Sequence, residues 1–192
     1  SHPSVFAVFV LDVLRQTTSY PSLRVRCGAT AFFVVAFDNV KVVVVFRFVV
    51  SISRHSARVD DCRAATTDAS KKAEDGVVAS GIDSRRLELL LAVLQKHAQI
   101  PTGAMDVFVN VAGGLKIADP ASDLGICLAI YSSFKNIPMS KTVAIAEVGL
   151  LGELRAAPML EKRVKEARKL GFKDIITTAN FKTLNQVFES LK

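Results

Sequence analysis

Histidine and cysteine are scarce in this chain of 192 residues, three of each, and the string G-x-x-x-x-G-K-[ST] does not occur in it. The missing string removes the phosphate-cradling loop on which one large class of ATP sites depends. His2, His55 and His97 stand without carboxylate or cysteine neighbours at ligand spacing, which argues against a metal site. Cys27, Cys62 and Cys127 are far apart, form no C-x-x-C pair and are odd in number. They read as thiols of a reducing compartment, not as a disulfide framework or a zinc site. Acid is missing locally, since no glutamate precedes Glu74. Long apolar runs are missing too. The most apolar one, residues 40–50, is broken by Lys41 and Arg47 and is too short to cross a bilayer as a helix. Residues 5–14 lack a basic leader and contain Asp12, which argues against a signal peptide. A cytoplasmic protein with no membrane partner is the expectation.

What remains is ample for a core: half the residues are apolar, enough for one well-buried domain with an appendage. The net charge of +7 favours an anionic partner such as nucleic acid, although charge speaks to association and not to fold.

The chain changes character at about Gly76. Beyond it, Asp83 suits a helix N-cap, and Leu87, Leu90, Leu91 and Leu94 follow at helical spacing, with Pro101 marking the stop after His97 or Ala98. Residues 105–111 alternate and read as a strand. Asp119 with Pro120 opens a second helix, to about Phe134. Residues 142–148 read as a strand, 149–152 as a turn and 153–156 as a short returning partner. A third helix spans 159–170, with Leu160, Val164 and Ala167 as its inner stripe and Gly171 as its C-terminal cap. A strand at 172–177 and a helix at 181–191 finish the chain. Strands alternating with helices imply an α/β layer arrangement.

Before Gly76, valine, phenylalanine and arginine dominate. Residues 32–37 and 40–50 are β-branched and aromatic, with Asp38-Asn39 able to turn between them, so residues 31–54 read as a β-hairpin joining the domain. Residues 55–75 read as a solvated loop. Residues 1–30 receive no assignment, and an unadapted stretch of gene product is the alternative reading for part of residues 1–75.

Several strings beyond Gly76 carry a resemblance. They are Gly81-Ile82-Asp83-Ser84-Arg85-Arg86-Leu87, Leu90-Leu91-Ala92-Val93-Leu94-Gln95-Lys96, and Asp106-Val107-Phe108-Val109-Asn110-Val111-Ala112-Gly113-Gly114. Asp119-Pro120-Ala121-Ser122-Asp123-Leu124, Ser132-Ser133-Phe134, Glu147-Val148-Gly149-Leu150 and Gly152-Glu153-Leu154-Arg155 follow in order. Together they make residues 76–192 resemble the C-terminal domain of the bacterial RadA (Sms) DNA-repair family. That resemblance implies a Lon-protease-like domain of the ribosomal protein S5 domain 2-like type. It also implies a recombinational repair role in which the domain self-associates into a ring and binds DNA independently of sequence. The family's ATP and zinc belong to its N-terminal modules, so no cofactor and no metal is expected for these residues.

Lon-type peptidase chemistry needs a serine activated by a lysine amine, because an unactivated hydroxyl is a poor nucleophile. Laid on that pattern, Ala121 takes the serine's place and Glu161 the lysine's, so the dyad is degenerate and the chain is expected not to be an enzyme. The alternatives are a serine peptidase shifted by one residue, using Ser122 with Lys162, and a purely structural self-association module. A one-residue shift turns a helical side chain by about 100°, which works against the first. For DNA contact the candidates are Arg85, Arg86, Arg155, Lys162, Lys165 and Lys169. Lys162, Lys165 and Lys169 share one helix face, opposite the Leu160/Val164/Ala167 stripe, with Arg163 and Arg168 beside them. Glu161 and Glu166 interleave with them, as on any solvated helix.

Overall fold

A computed structural model describes residues 5–11, 26–37, 40–54, 77–102, 105–111, 116–135, 137, 139 and 142–191, with backbone pairing alone for the strands before Val77. Nine strands and four α-helices are present among them. In chain order they are β1 (Val5–Leu11), β2 (Arg26–Phe37), β3 (Val40–Arg54), β4 (Val77–Ser80), α1 (Ser84–Ala98), β5 (Met105–Val111), α2 (Asp123–Lys135), β6 (Thr142–Ile145), β7 (Glu147–Val148), β8 (Leu154–Arg155), α3 (Leu160–Lys169), β9 (Asp174–Thr177) and α4 (Leu184–Ser190). Seven strands form one sheet in the order β4-β5-β3-β2-β1-β6-β9. Its centre is antiparallel, and its two edge pairs, β4 with β5 and β6 with β9, are parallel. The fold is mixed α/β.

β2 and β3 pair antiparallel from Arg26 opposite Ile52 to Phe37 opposite Val40, with register shifts after Cys27 and after Val35. β1 lies within residues 1–30, which the sequence pattern leaves without an element, and it pairs with β2 and β6. The Asp38-Asn39 turn, the 55–75 loop and the Gly113-Gly114 turn lie outside the described residues, as do His2, His55 and Cys62.

Local chemistry sets the later elements. The Asp83 carboxylate accepts from the Arg86 amide at 2.9 Å and starts α1, which ends at Gln99 in the left-handed region. α3 ends in a Schellman motif: Gly171 has φ +87°, its amide reaches the Arg168 carbonyl, and the Phe172 amide reaches that of Ala167. Those bonds hold Phe172 outside the sheet, so β9 begins at Asp174 and not at 172. A Thr183–Gln186 capping box delays α4 to Leu184. The helix expected from Asp119 opens as a 3-10 turn, Pro120–Ser122, before α2 begins. The strand expected over 142–148 is two strands. The Ala146 amide bonds the Ala121 carbonyl and the Ala146 carbonyl accepts from Leu124, so both backbone groups leave the ladder there. β7 then pairs with β8 in a separate two-stranded unit.

β6 shows the layering. Ala144 faces a large core shared with α1, α2 and α4, while Val143 and Ile145 face a smaller one with Ala121, Ala157 and Ala167. α2 is buried along its length from Asp123 to Ser133 and crosses β1, β2, β3 and β6. A helix apolar nearly all round belongs between layers. α3 covers the opposite face at β1 and β6. Tyr131 of α2 stacks on Phe188 of α4 with ring centroids 4.1 Å apart.

Candidate functional site

The turn 119–123 is held by two arginine–carboxylate clasps. Asp119 uses one oxygen to accept from the Ala121 amide at 3.0 Å and the other to accept from Arg163 at 2.7 Å. Arg163 is buried, and its Nε donates to the Pro158 carbonyl at 2.9 Å. Asp123, also buried, accepts from Arg86 through both carboxylate oxygens and from the Val148 amide at 3.3 Å. Burial pushes the Asp123 carboxyl up, against the pull of Arg86 and of the Val148 amide. The same contact raises the already high pKa of Arg86. A planar guanidinium on a carboxylate fork is the strongest side-chain pairing available here.

Ala121 packs among Val143, Ile145, Ala157 and Ala167, a methyl group in a small apolar core. Ser122 is buried and its hydroxyl donates to the Asp119 carbonyl at 2.7 Å. Glu161 and Lys162 are both exposed in the first turn of α3. Ser122 is thus tied to the backbone of its own turn, while Lys162 stands on a solvent-facing helix.

The structure scatters the basic candidates. Arg85 is exposed at the start of α1. Arg86 is the Asp123 partner. Arg155 is exposed on β8 and pairs with Glu153 at 2.6 Å and Glu147 at 3.8 Å. Lys162, Lys165 and Lys169 are exposed along α3, with Lys169 paired to Glu166 at 2.6 Å. Beside this helix runs a shallow groove of about 630 Å³, lined among the described residues by Glu161, Val164, Lys165, Arg168 and Lys169. Arg163, which sequence spacing puts beside the surface lysines, points inward instead. The signal that could have found it is its position in the same helical row as Leu160 and Ala167.

The β7–β8 hairpin is the other well-defined surface feature. The Glu153 carboxylate accepts from the Leu151 amide at 3.1 Å and lies where a Cβ on Gly149 would sit. Gly152 has φ +77° and lies against the His97 ring. Among the described residues the Nε2 of His97 is buried without a hydrogen-bond partner. Burial pushes the Cys127 thiol far up, so it stays protonated. Among the described residues no cluster of histidine, cysteine or acidic groups could hold a metal ion, and no helix is long and apolar enough to cross a membrane.

Comparison with known proteins assigns these residues. The family model described as subunit ChlI of Mg-chelatase matches residues 76–180. The DNA repair protein RadA of Pseudomonas aeruginosa is 46% identical over 113 residues, 58% of this chain and 25% of that protein. RadA of Bacillus subtilis is 47% identical over 103 residues, covering 53% of this chain and 22% of its own length. RadA of Chlamydia pneumoniae is 48% identical over 98 residues, 50% of this chain and 22% of that protein. The chain is related to the RadA proteins and spans about a quarter of their length. One expectation is corrected by the family match. A degenerate peptidase dyad at Ala121 and Glu161 led to a non-enzyme reading, but the matched family is named for a subunit of a chelatase, which is an enzyme. A reading of the serine–lysine pattern bears on one chemistry only.

Proposed function

The chain belongs to the family described as subunit ChlI of Mg-chelatase, and from that membership and its RadA relatives we propose a RadA-type role in DNA repair and recombination. In this reading residues 76–192 are a Lon-protease-like, S5 domain 2-like domain that self-associates into a ring and holds DNA by its backbone. Strands β1, β2 and β3 add to the same sheet as the strands of that domain. The cytoplasm, where DNA is repaired in bacteria, is the proposed location.

The observation that carries DNA contact is the solvent-facing row of α3, where Lys162, Lys165, Arg168 and Lys169 are all exposed. Ammonium and guanidinium groups in a row release counterions from phosphates without reading bases. Arg85 and Arg155 extend the positive surface. Arg86 contributes less, because its guanidinium is committed to Asp123. DNA binding by the whole chain is measured by fluorescence anisotropy against salt concentration. Changing Lys162, Lys165 and Lys169 together to Ala should weaken binding about equally for every DNA sequence and flatten the salt slope by roughly 2 to 3. Unchanged affinity and slope would remove α3 from the DNA surface.

A further inference from the structure

The β7–β8 hairpin ends in a turn, Gly149-Leu150-Leu151-Gly152, closed by the Gly152 amide on the Gly149 carbonyl at 3.0 Å. Its two central positions hold Leu150 at 63% and Leu151 at 74% exposure, the most exposed large apolar side chains among the described residues. Glycine, proline, asparagine, aspartate and serine are what a turn itself favours there. Leu89 and Met159, the other exposed large apolar side chains among those residues, lie on α1 and at the head of α3. The apolar surface of the tip is thus two adjacent side chains, against about 20–30 residues a side in a stable protein interface. It has the size of the apolar wedges, leucine among them, that enter between base pairs and part the stack.

A wedge has to keep its shape against the stack, and this turn is braced. The Gly149 amide donates to the Glu153 carbonyl at 2.9 Å, and the Glu153 carboxylate accepts from the Leu151 amide at 3.1 Å. Behind the turn, the Leu154 amide donates to the Lys182 carbonyl and the Leu184 amide to the Gly152 carbonyl, each at 2.8 Å. On the β7 side the Val148 amide donates to Asp123, which Arg86 clasps. An apolar tip held in this way loses little conformational entropy on insertion.

The hairpin also runs directly into the basic surface. Arg155 ends β8, and residues 156–159 separate it from α3, a span of at most about 18 Å, or roughly five base-pair rises. Lys162, Lys165, Arg168 and Lys169 follow on the exposed row of α3. Glu147 and Glu153, the acids nearest the turn in sequence, are both paired to Arg155. Phosphate contacts hold a duplex without touching its bases. The leucines add what the basic row lacks, an apolar group able to meet base faces.

We propose that Leu150 and Leu151 insert between stacked base pairs of duplex DNA whose phosphates lie along α3. The wedge deepens the DNA contact of the proposed function and rests on it.

The test uses the whole chain and a short duplex carrying 2-aminopurine, whose fluorescence rises when its neighbours unstack. Leu150→Ser with Leu151→Ser is run beside Leu150→Met with Leu151→Met, both at exposed positions, with circular dichroism to confirm folding. At saturation the unaltered chain and the methionine variant should raise the fluorescence. The serine variant should lose most of that rise while keeping its salt slope, which the phosphate contacts set. An undiminished rise in the serine variant, or DNA binding by the unaltered chain without any rise, would overturn the wedge and leave the DNA reading standing. No DNA binding by the unaltered chain would overturn both.

Discussion

At the residue scale, the string Asp119-Pro120-Ala121-Ser122-Asp123 draws attention in the sequence to its alanine and serine, whereas the structure uses the two aspartates that flank it. Asp119 anchors Arg163 across the smaller core, and Asp123 ties α1 to α2 and β7. Removing Arg163 takes the cation from the Asp119 carboxylate and the donor from the Pro158 carbonyl. Arg163→Met should therefore cost about 2–4 kcal/mol by denaturant unfolding, and Arg163→Lys most of that, since one ammonium cannot reach both acceptors in the same geometry. The two perturbed acids respond to pH in opposite senses. The Glu153 carboxyl is held below the usual range by its own backbone amide first and then by Arg155 and Leu151. Its stabilisation is present above the usual range and is lost as pH falls through the lowered value. Asp123 is raised by burial, so its ionised form costs stability above the raised value, and that cost is relieved on acidification. The Leu151 amide should therefore exchange faster in acid, relative to its intrinsic rate, while amides around Asp123 do not follow it; hydrogen exchange across the acid range decides.

Among the elements, the β7–β8 hairpin and α3 hold most of what is exposed and specific. Gly152 has a backbone that other residues adopt at a penalty, and a Cβ there would lie 3.0 Å from the His97 ring. Gly152→Ala should cost on the order of 1–3 kcal/mol, where Gly171→Ala, with open space around it, meets the backbone penalty alone. Thermal unfolding of the two variants side by side separates the two contributions. For α4, Thr183→Ala removes the capping box and should cost about 1 kcal/mol. The periodic elements α1, β5 and α3 are legible because capping residues and apolar spacing agree within a few residues of sequence. The break at Ala146 is not, because its cause is a pair of hydrogen bonds to the segment 121–124, more than twenty residues upstream.

For the molecule as a whole, β1, β2 and β3 join one sheet with strands from beyond Gly76, so the change in composition at that point is not a break in the sheet. Charge belongs to this scale as well. The excess of +7 is a property of the composition, but its use depends on where α3 stands. Binding to single- and double-stranded DNA should fall steeply between low and moderate salt and be insensitive to sequence. A flat salt response would separate the charge from the function.

The sequence by itself determines the α/β class, most element types after Gly76 and the relation to RadA, because each of these is written in local spacing or in strings. Only the tertiary structure decides that Arg163 is an internal partner and not a surface cation, that Ser122 donates to its own turn, and that Leu150 and Leu151 are left outside. Those outcomes depend on which segments distant in the chain meet. A carboxylate forty-four residues upstream turns Arg163 inward, and Leu150 and Leu151 at the hairpin tip stay exposed among the described residues.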